Sequence, residues 1–205
     1  MEMGGESMRK ILWLLLIVAG AAALLSGCGK EESAGDTTRL DFKKDGQIVH
    51  TIVEDFSQDY YSLDELKENV EEQIAEYNGT AGKGGITLDS AEVEEGLIRL
   101  VMTFPSAENY SGFYRQALFY GTVKDAFNAG YDLDIQLRGV GEEGTVVGRQ
   151  EILEMGEKHI VVVREKIQIK TYGNILYVSS DVEPLENGKE ANVTDKENLS
   201  YIIFE

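Results

Sequence analysis

Apolar residues recur at two spacings along this chain, and the switch from one to the other divides it into elements. Between residues 62 and 78, Leu63, Leu66, Val70, Ile74 and Tyr77 stand three or four apart, which gathers them on one side of an amphipathic helix. Ser62 followed three residues later by Glu65 is a capping-box signature for its start. Glu65, Glu68, Glu71, Glu72 and Glu76 fall on the opposite, solvated side. Elsewhere the period is two. Residues 39–56 predict a hairpin turning at Lys44-Asp45-Gly46, with Ile48, His50 and Ile52 alternating against Val49, Thr51 and Val53. Strands over 86–94 and 97–104 meet near Glu95-Gly96, and Ile98, Leu100, Met102 and Phe104 share a face of the second.

Pro105 and Ser106 stop that strand, and the apolar spacing then predicts a helix from Ala107 to Ala129, ended by Gly130. Tyr131, Leu133, Ile135 and Leu137 alternate strictly with Asp132, Asp134, Gln136 and Arg138, predicting a strand with one face buried. A short helix is expected over 149–155 and strands over 159–163, 166–172, 175–179 and 201–204. The middle two are joined by a turn at Tyr172-Gly173-Asn174, and 181–198 reads as a polar loop. The predicted fold is a small α+β domain, mainly antiparallel sheet with two principal helices. Its order is ββα-ββα followed by further strands, although the two halves show no residue-for-residue likeness.

The first thirty residues follow neither spacing. Arg9 and Lys10 supply positive charge, Ile11 to Leu25 is almost wholly apolar, and small residues surround Cys28, the three regions of a secretory signal. The apolar run, about fifteen residues, falls short of the roughly 20 that span a bilayer as a helix. Two acids, Glu2 and Glu6, precede the positive region, so Met8 is the expected true start. Leu25-Ser26-Gly27-Cys28 resembles the lipobox of bacterial lipoproteins. That resemblance implies that the Cys28 thiol receives a diacylglyceryl group and that a signal peptidase cleaves before it. Two acyl chains hold a protein on a membrane where one binds only marginally. A free cysteine beside an ordinary cleavable signal is the alternative. The expected organisation is a signal peptide over 1–27, a lipid-bearing tether over 28–38 and one globular domain over 39–205. A short tether, a small α+β domain and an acidic surface together resemble the layout of Gram-positive cell-surface lipoproteins, a likeness that implies an address and no activity.

Charge narrows the partners. The chain carries 37 acidic and 19 basic residues, a formal net charge of −18, and the two acids and two bases of residues 1–27 cancel. Phosphates would repel such a domain, which disfavours nucleic acid and flat docking on an anionic bilayer. With a single cysteine, no intrachain disulfide braces the core.

Few residues suggest chemistry. Gly139-Val140-Gly141-Glu142-Glu143-Gly144 satisfies G-x-G-x-x-G, but adjacent glutamates would repel a pyrophosphate and no convincing helix follows. Gly79-Thr80-Ala81-Gly82-Lys83-Gly84 lacks the first glycine and the Ser or Thr of a phosphate loop. His50 and His159 sit inside predicted strands without metal-ligand spacing, and no Gly-x-Ser-x-Gly elbow marks a nucleophile. Asp132 and Asp134, two apart on a predicted strand, would project on one face roughly 7 Å apart, a spacing open to paired-carboxylate chemistry or a cation. Tyr60 and Tyr61 before the first helix could stack on a sugar ring or peptide if exposed. No cofactor is expected. The leading expectation is a non-catalytic binding or accessory module, held on the outer side of the cell membrane through acylated Cys28 and contacting a peptide, a glycan or an envelope protein. An envelope hydrolase using the paired carboxylates and a small solute-binding component of a transporter are the alternatives.

The lipid assignment has a direct test. Cells fed a fatty-acid analogue should label the wild-type chain and leave Cys28→Ala unlabelled; equal labelling of both would remove the anchor.

Overall fold

The computed structural model describes residues 37–81, 85–141 and 144–205. The signal-like segment, Cys28, most of the expected tether, Gly82 to Gly84 and the Glu142-Glu143 pair lie outside them. Of the tether, Thr38 already belongs to the domain: its hydroxyl accepts from Val53 N at 2.9 Å and donates to Val53 O at 3.1 Å.

Two hairpins come first among the described residues. Gly46, at φ 94°, lets the first turn close, and β1 (Arg39–Phe42) pairs antiparallel with β2 (Ile48–Asp55). Glu95 and Gly96, both at positive φ, turn β3 (Thr87–Glu94) into β4 (Leu97–Phe104). A helix follows each hairpin: α1 (Leu63–Ala81), whose Glu65 N donates to Ser62 Oγ, and α2 (Ala107–Tyr114), capped by Ser106. The ββα order therefore does occur twice, and the hairpins join through β2 and β4, in register from Ile48↔Phe104 to Asp55↔Leu97.

The remaining elements are β5 (Leu118–Thr122), α3 (Val123–Asn128), β6 (Leu137–Gly139), β7 (Val146–Val147), α4 (Arg149–Glu154), β8 (His159–Val163), β9 (Gln168–Lys170), β10 (Ile175–Val178), β11 (Val182–Pro184), β12 (Glu190–Val193) and β13 (Ser200–Phe204). They complete two sheets, one of seven strands in the order β11-β12-β9-β1-β2-β4-β3 and one of six in the order β5-β8-β13-β10-β6-β7. Every pairing is antiparallel except β1 with β9. The fold is α+β and mainly sheet, as the alternation predicts. The larger core takes Leu40, Phe42, Ile48 and Phe104 from the first sheet, Val161, Val163, Ile202 and Phe204 from the second, and Leu66 and Tyr110 from α1 and α2. The smaller core lies on the other side of the second sheet, where Ile160, Val162, Tyr201 and Ile203 meet Val123, Ala126, Leu133 and Ile152.

Four local expectations change. The helix predicted over 107–129 breaks after Tyr114: Arg115 turns left-handed at φ 57°, and Leu118–Thr122 joins β8 as a strand before α3 begins. Ser111 Oγ holds the break by bonding both N and O of Leu118. Residues 131–136 keep their predicted alternation, with Leu133 buried and Asp132 and Asp134 exposed, but no strand begins before Leu137. The strands around Tyr172-Gly173-Asn174 do not pair with each other, because β9 lies in the first sheet and β10 in the second. Residues 181–198 are not a simple loop: β11 and β12 form a hairpin over Asn187-Gly188, with Gly188 at φ 70°.

α1 is tied to the sheet by a side chain that behaves like a strand. Asn78 Oδ1 accepts from Ile86 N at 2.9 Å and Nδ2 donates to Ile86 O at 3.0 Å, and Ile86 is 2% exposed. Asn78→Ala leaves both groups of a buried peptide unpaired, at about 1–3 kcal/mol each before relaxation. Urea unfolding should show a loss of at least 1 kcal/mol, by that same scale; an unchanged midpoint would refute the role assigned to this side chain.

Candidate functional site

The inward side of β2 carries the site. Alternation from Ile48 places His50, Ile52 and Glu54 on the same face, opposite Met102, Leu100 and Ile98 of β4. Two polar residues thus stand where the pattern asks for apolar ones, and each has a different surrounding.

His50 lies at the bottom of an aromatic cluster. Its ring centroid is 5.5 Å from that of Tyr110, 5.3 Å from Tyr114 and 6.5 Å from Phe104. His50 Nδ1 is 3.1 Å from Tyr114 Oη, which also reaches Met102 Sδ at 3.6 Å. Among the described residues Nε2 has no partner. An orphaned lone pair costs less here than an orphaned N–H, so the proton belongs on Nδ1, donated to Tyr114, while Tyr114 donates to the sulfur. Burial lowers the pKa of His50 to about 3. Tyr110 Oη donates to Glu165 Oε2 at 2.8 Å. Burial raises Glu165, partly offset by this bond, and burial with the charge of Glu165 raises both tyrosines. All four groups are held towards their neutral forms.

Beside this cluster opens a cleft. Ile52 and Glu54 of β2, Ile98, Leu100 and Met102 of β4, Leu66, Val70 and Gln73 of α1, and Phe113 and Tyr114 of α2 line a cavity of about 60 Å³. On the scale where one water needs about 10–15 Å³ this admits a short branched alkyl group. α1 lies along β3 while α2 reaches from β4 to β5, and the cleft lies between the two helices over β2 and β4. Leu100 and Met102 are buried, whereas the half-buried Glu54 has its pKa raised by loss of solvent. No hydrogen bond or ion pair reaches its side chain among the described residues.

The residues singled out by sequence do not meet here. Asp132 and Asp134 are both exposed, and Asp132 Oδ1 accepts from Asp134 N at 2.9 Å, so one carboxylate is occupied by its own turn. No cluster of three or more potential metal ligands occurs among the described residues. Tyr60 is 67% exposed, with its ring 4.8 Å from Tyr61, which stacks on Phe56 at 4.9 Å. β6 and β7, on either side of the glycine-rich motif, pair antiparallel, and Gly139 N donates to Thr145 O at 2.9 Å, so a strand rather than a helix follows Gly144. His159 packs among Tyr120, Tyr172 and Phe204, and burial lowers its pKa. Glu54 escaped sequence reasoning although a carboxylate on an otherwise apolar stripe is visible in the alternation. Glu165, within Arg164-Glu165-Lys166, reads as solvated charge and carries no such signal.

Comparisons with protein-family models, with curated proteins and with solved structures find no match to this chain.

The His50 environment has a pH signature. In the unfolded chain His50 takes a proton near 6.5, and in the folded chain only near 3. Above the upper value both states are neutral and the difference contributes nothing. As pH falls between the two, only the unfolded state gains the proton and stability is lost, at up to about 1.4 kcal/mol per pH unit. Glu165, raised by burial, acts in the opposite sense: its cost appears as pH rises from its unfolded value through its folded one. Comparing wild type with His50→Leu by urea unfolding isolates the histidine. The wild type should lose stability relative to the variant from pH 6.5 towards pH 4; a constant gap would refute the assignment.

Proposed function

We propose that this chain is a non-catalytic binding module, held on the outer side of the cell membrane through Cys28, which takes its ligand in the cleft between α1 and α2. The observation that carries the binding reading is the cleft itself: a cavity floored by two strands and walled by two helices, apolar within and polar at Glu54 and Gln73. Such concave apolar sites with few polar groups are the usual form of small-ligand sites. The tether reading rests on Arg9, Lys10, the apolar run and Leu25-Ser26-Gly27-Cys28. A module fixed at a membrane works at high local concentration, so weak affinity is enough to keep it occupied.

The hydrolase reading draws no support from Asp132 and Asp134, since one is engaged by its own turn and both face solvent. Of the polar cluster, His50, Tyr110 and Glu165 are buried and Tyr114 alone lines the cleft, and burial favours the neutral form of each group. Proton transfer to a substrate asks for reach as well as a suitable pKa.

Isobutanol is a neutral probe of the cleft. Added to the ¹⁵N-labelled domain, it should shift amide resonances of Ile52, Leu66, Val70 and Leu100 in a saturable way. Val70→Phe, which fills the cavity from α1, should abolish the response while the rest of the spectrum is retained. Shifts scattered over the surface, or a response that survives Val70→Phe, would refute the cleft as a binding site.

A further inference from the structure

Resting on the cleft as a binding site, the geometry points to a ligand class: we propose that it receives an ammonium ion bearing a branched alkyl group, with the alkyl part inside and the ammonium against Glu54. Three observations carry this. Glu54 occupies a position of β2 whose neighbours on the same face, Ile52 and Phe56, are apolar, and it faces Ile98 across the ladder. Its carboxylate is half-buried without any hydrogen bond or ion pair among the described residues. A carboxylate held partly out of water with no protein partner is open to pair with a ligand cation. The rest of the lining holds no charged group, so a cation has one partner and an anion has none.

Polarity along the cleft chooses among cations. Ile98, Leu100 and Met102 form the buried floor, and Glu54 is half-buried, as are Gln73, Val70 and Phe113 of the helices facing it. The ligand must therefore lead with its hydrocarbon and trail its charge. A lysine side chain has the reverse order, charge at the tip and hydrocarbon behind. A branched aliphatic amine has the right order, as does the free amino end of a peptide that begins with valine, leucine or isoleucine. The cavity of about 60 Å³ suits the alkyl part of either. The formal charge of −18 attracts a cation from a distance.

The probes are isobutylammonium chloride, leucinamide hydrochloride and isobutanol, each titrated into the ¹⁵N-labelled domain at constant ionic strength. Both ammonium compounds should shift the same cleft amides as isobutanol at concentrations at least tenfold lower, and Glu54→Gln should remove that advantage while leaving isobutanol unchanged. In the wild type, the ¹³C resonance of the Glu54 carboxyl should titrate at lower pH when the cleft is occupied, a readout that needs no variant. Tighter binding of leucinamide identifies a peptide amino end as the source, and tighter binding of isobutylammonium a free amine; either supports the proposal. Equal affinity for isobutanol and the ammonium ions, with the Glu54 titration unmoved, overturns the ligand class and leaves the cleft standing. No response to any of the three overturns both.

Discussion

Two strands, β8 and β13, have apolar surroundings on both faces, and the rest of the structure is arranged to provide them. All five residues of β13 are buried, as are Ile160 to Val163 of β8. Side chains alternate across a strand, so Val161, Val163, Ile202 and Phe204 enter the larger core while Ile160, Val162, Tyr201 and Ile203 enter the smaller one. Burying an aliphatic side chain of this size contributes about 1.5–3 kcal/mol, and a strand of such composition cannot lie at an exposed edge. β8 therefore needs a neighbour, and Leu118–Thr122 supplies it. That demand breaks the helical stretch after Tyr114: the local spacing favours a helix, but a helix through 118–122 would strip β8 of its outer ladder.

The sequence is most readable where one face is wet. β4 falls where the alternation puts it, and α1 starts at the cap that Ser62 provides. It is least readable where tertiary contacts decide between conformations that local spacing allows equally. Ala117 to Gly121 has no polar side to set a helical face apart from a strand face, so β8 settles its conformation. Residues 131–136 alternate because one side packs on the smaller core, yet no neighbouring strand pairs with them; alternation reports burial, and hydrogen bonding is a separate matter. The hairpin at 182–193 did leave a signal, since Asn-Gly is a favoured turn dipeptide, here with Gly188 at φ 70° ending a turn that starts at Leu185. The crossing between sheets at Thr171 to Asn174 left none: Gly173 packs so closely on the chain end that an added Cβ would stand 2.2 Å from Glu205 O, a contact between residues far apart in sequence.

The site divides along the same line. His50 and Glu54 occupy one stripe of β2, four residues apart, and both violate the apolar pattern. His50 is absorbed by its neighbours: three aromatic rings surround it and Tyr114 takes its one proton. Its burial is a commitment of the core, felt as sensitivity to acid. Glu54 has no such partner and remains at the border of a cavity. One polar residue on this stripe is therefore part of what holds the fold, and the other is left over for something outside it.

The cavity beside Glu54 follows from the topology rather than from loose packing. α1 is nineteen residues long and lies along β3. α2 is eight residues long and must release the chain towards β5, so it cannot run back over β2. The two helices touch where Tyr77 meets Phe113, ring centroids 5.6 Å apart, beside Gly112, where an added Cβ would stand 2.4 Å from Tyr77 Oη. That contact fixes their spacing at one point, and the different lengths and directions of the helices open it at the other. Because the second sheet requires α2 to end early, the demand that buries β8 is also the one that leaves a cleft over β2 and β4 beside an unpaired carboxylate.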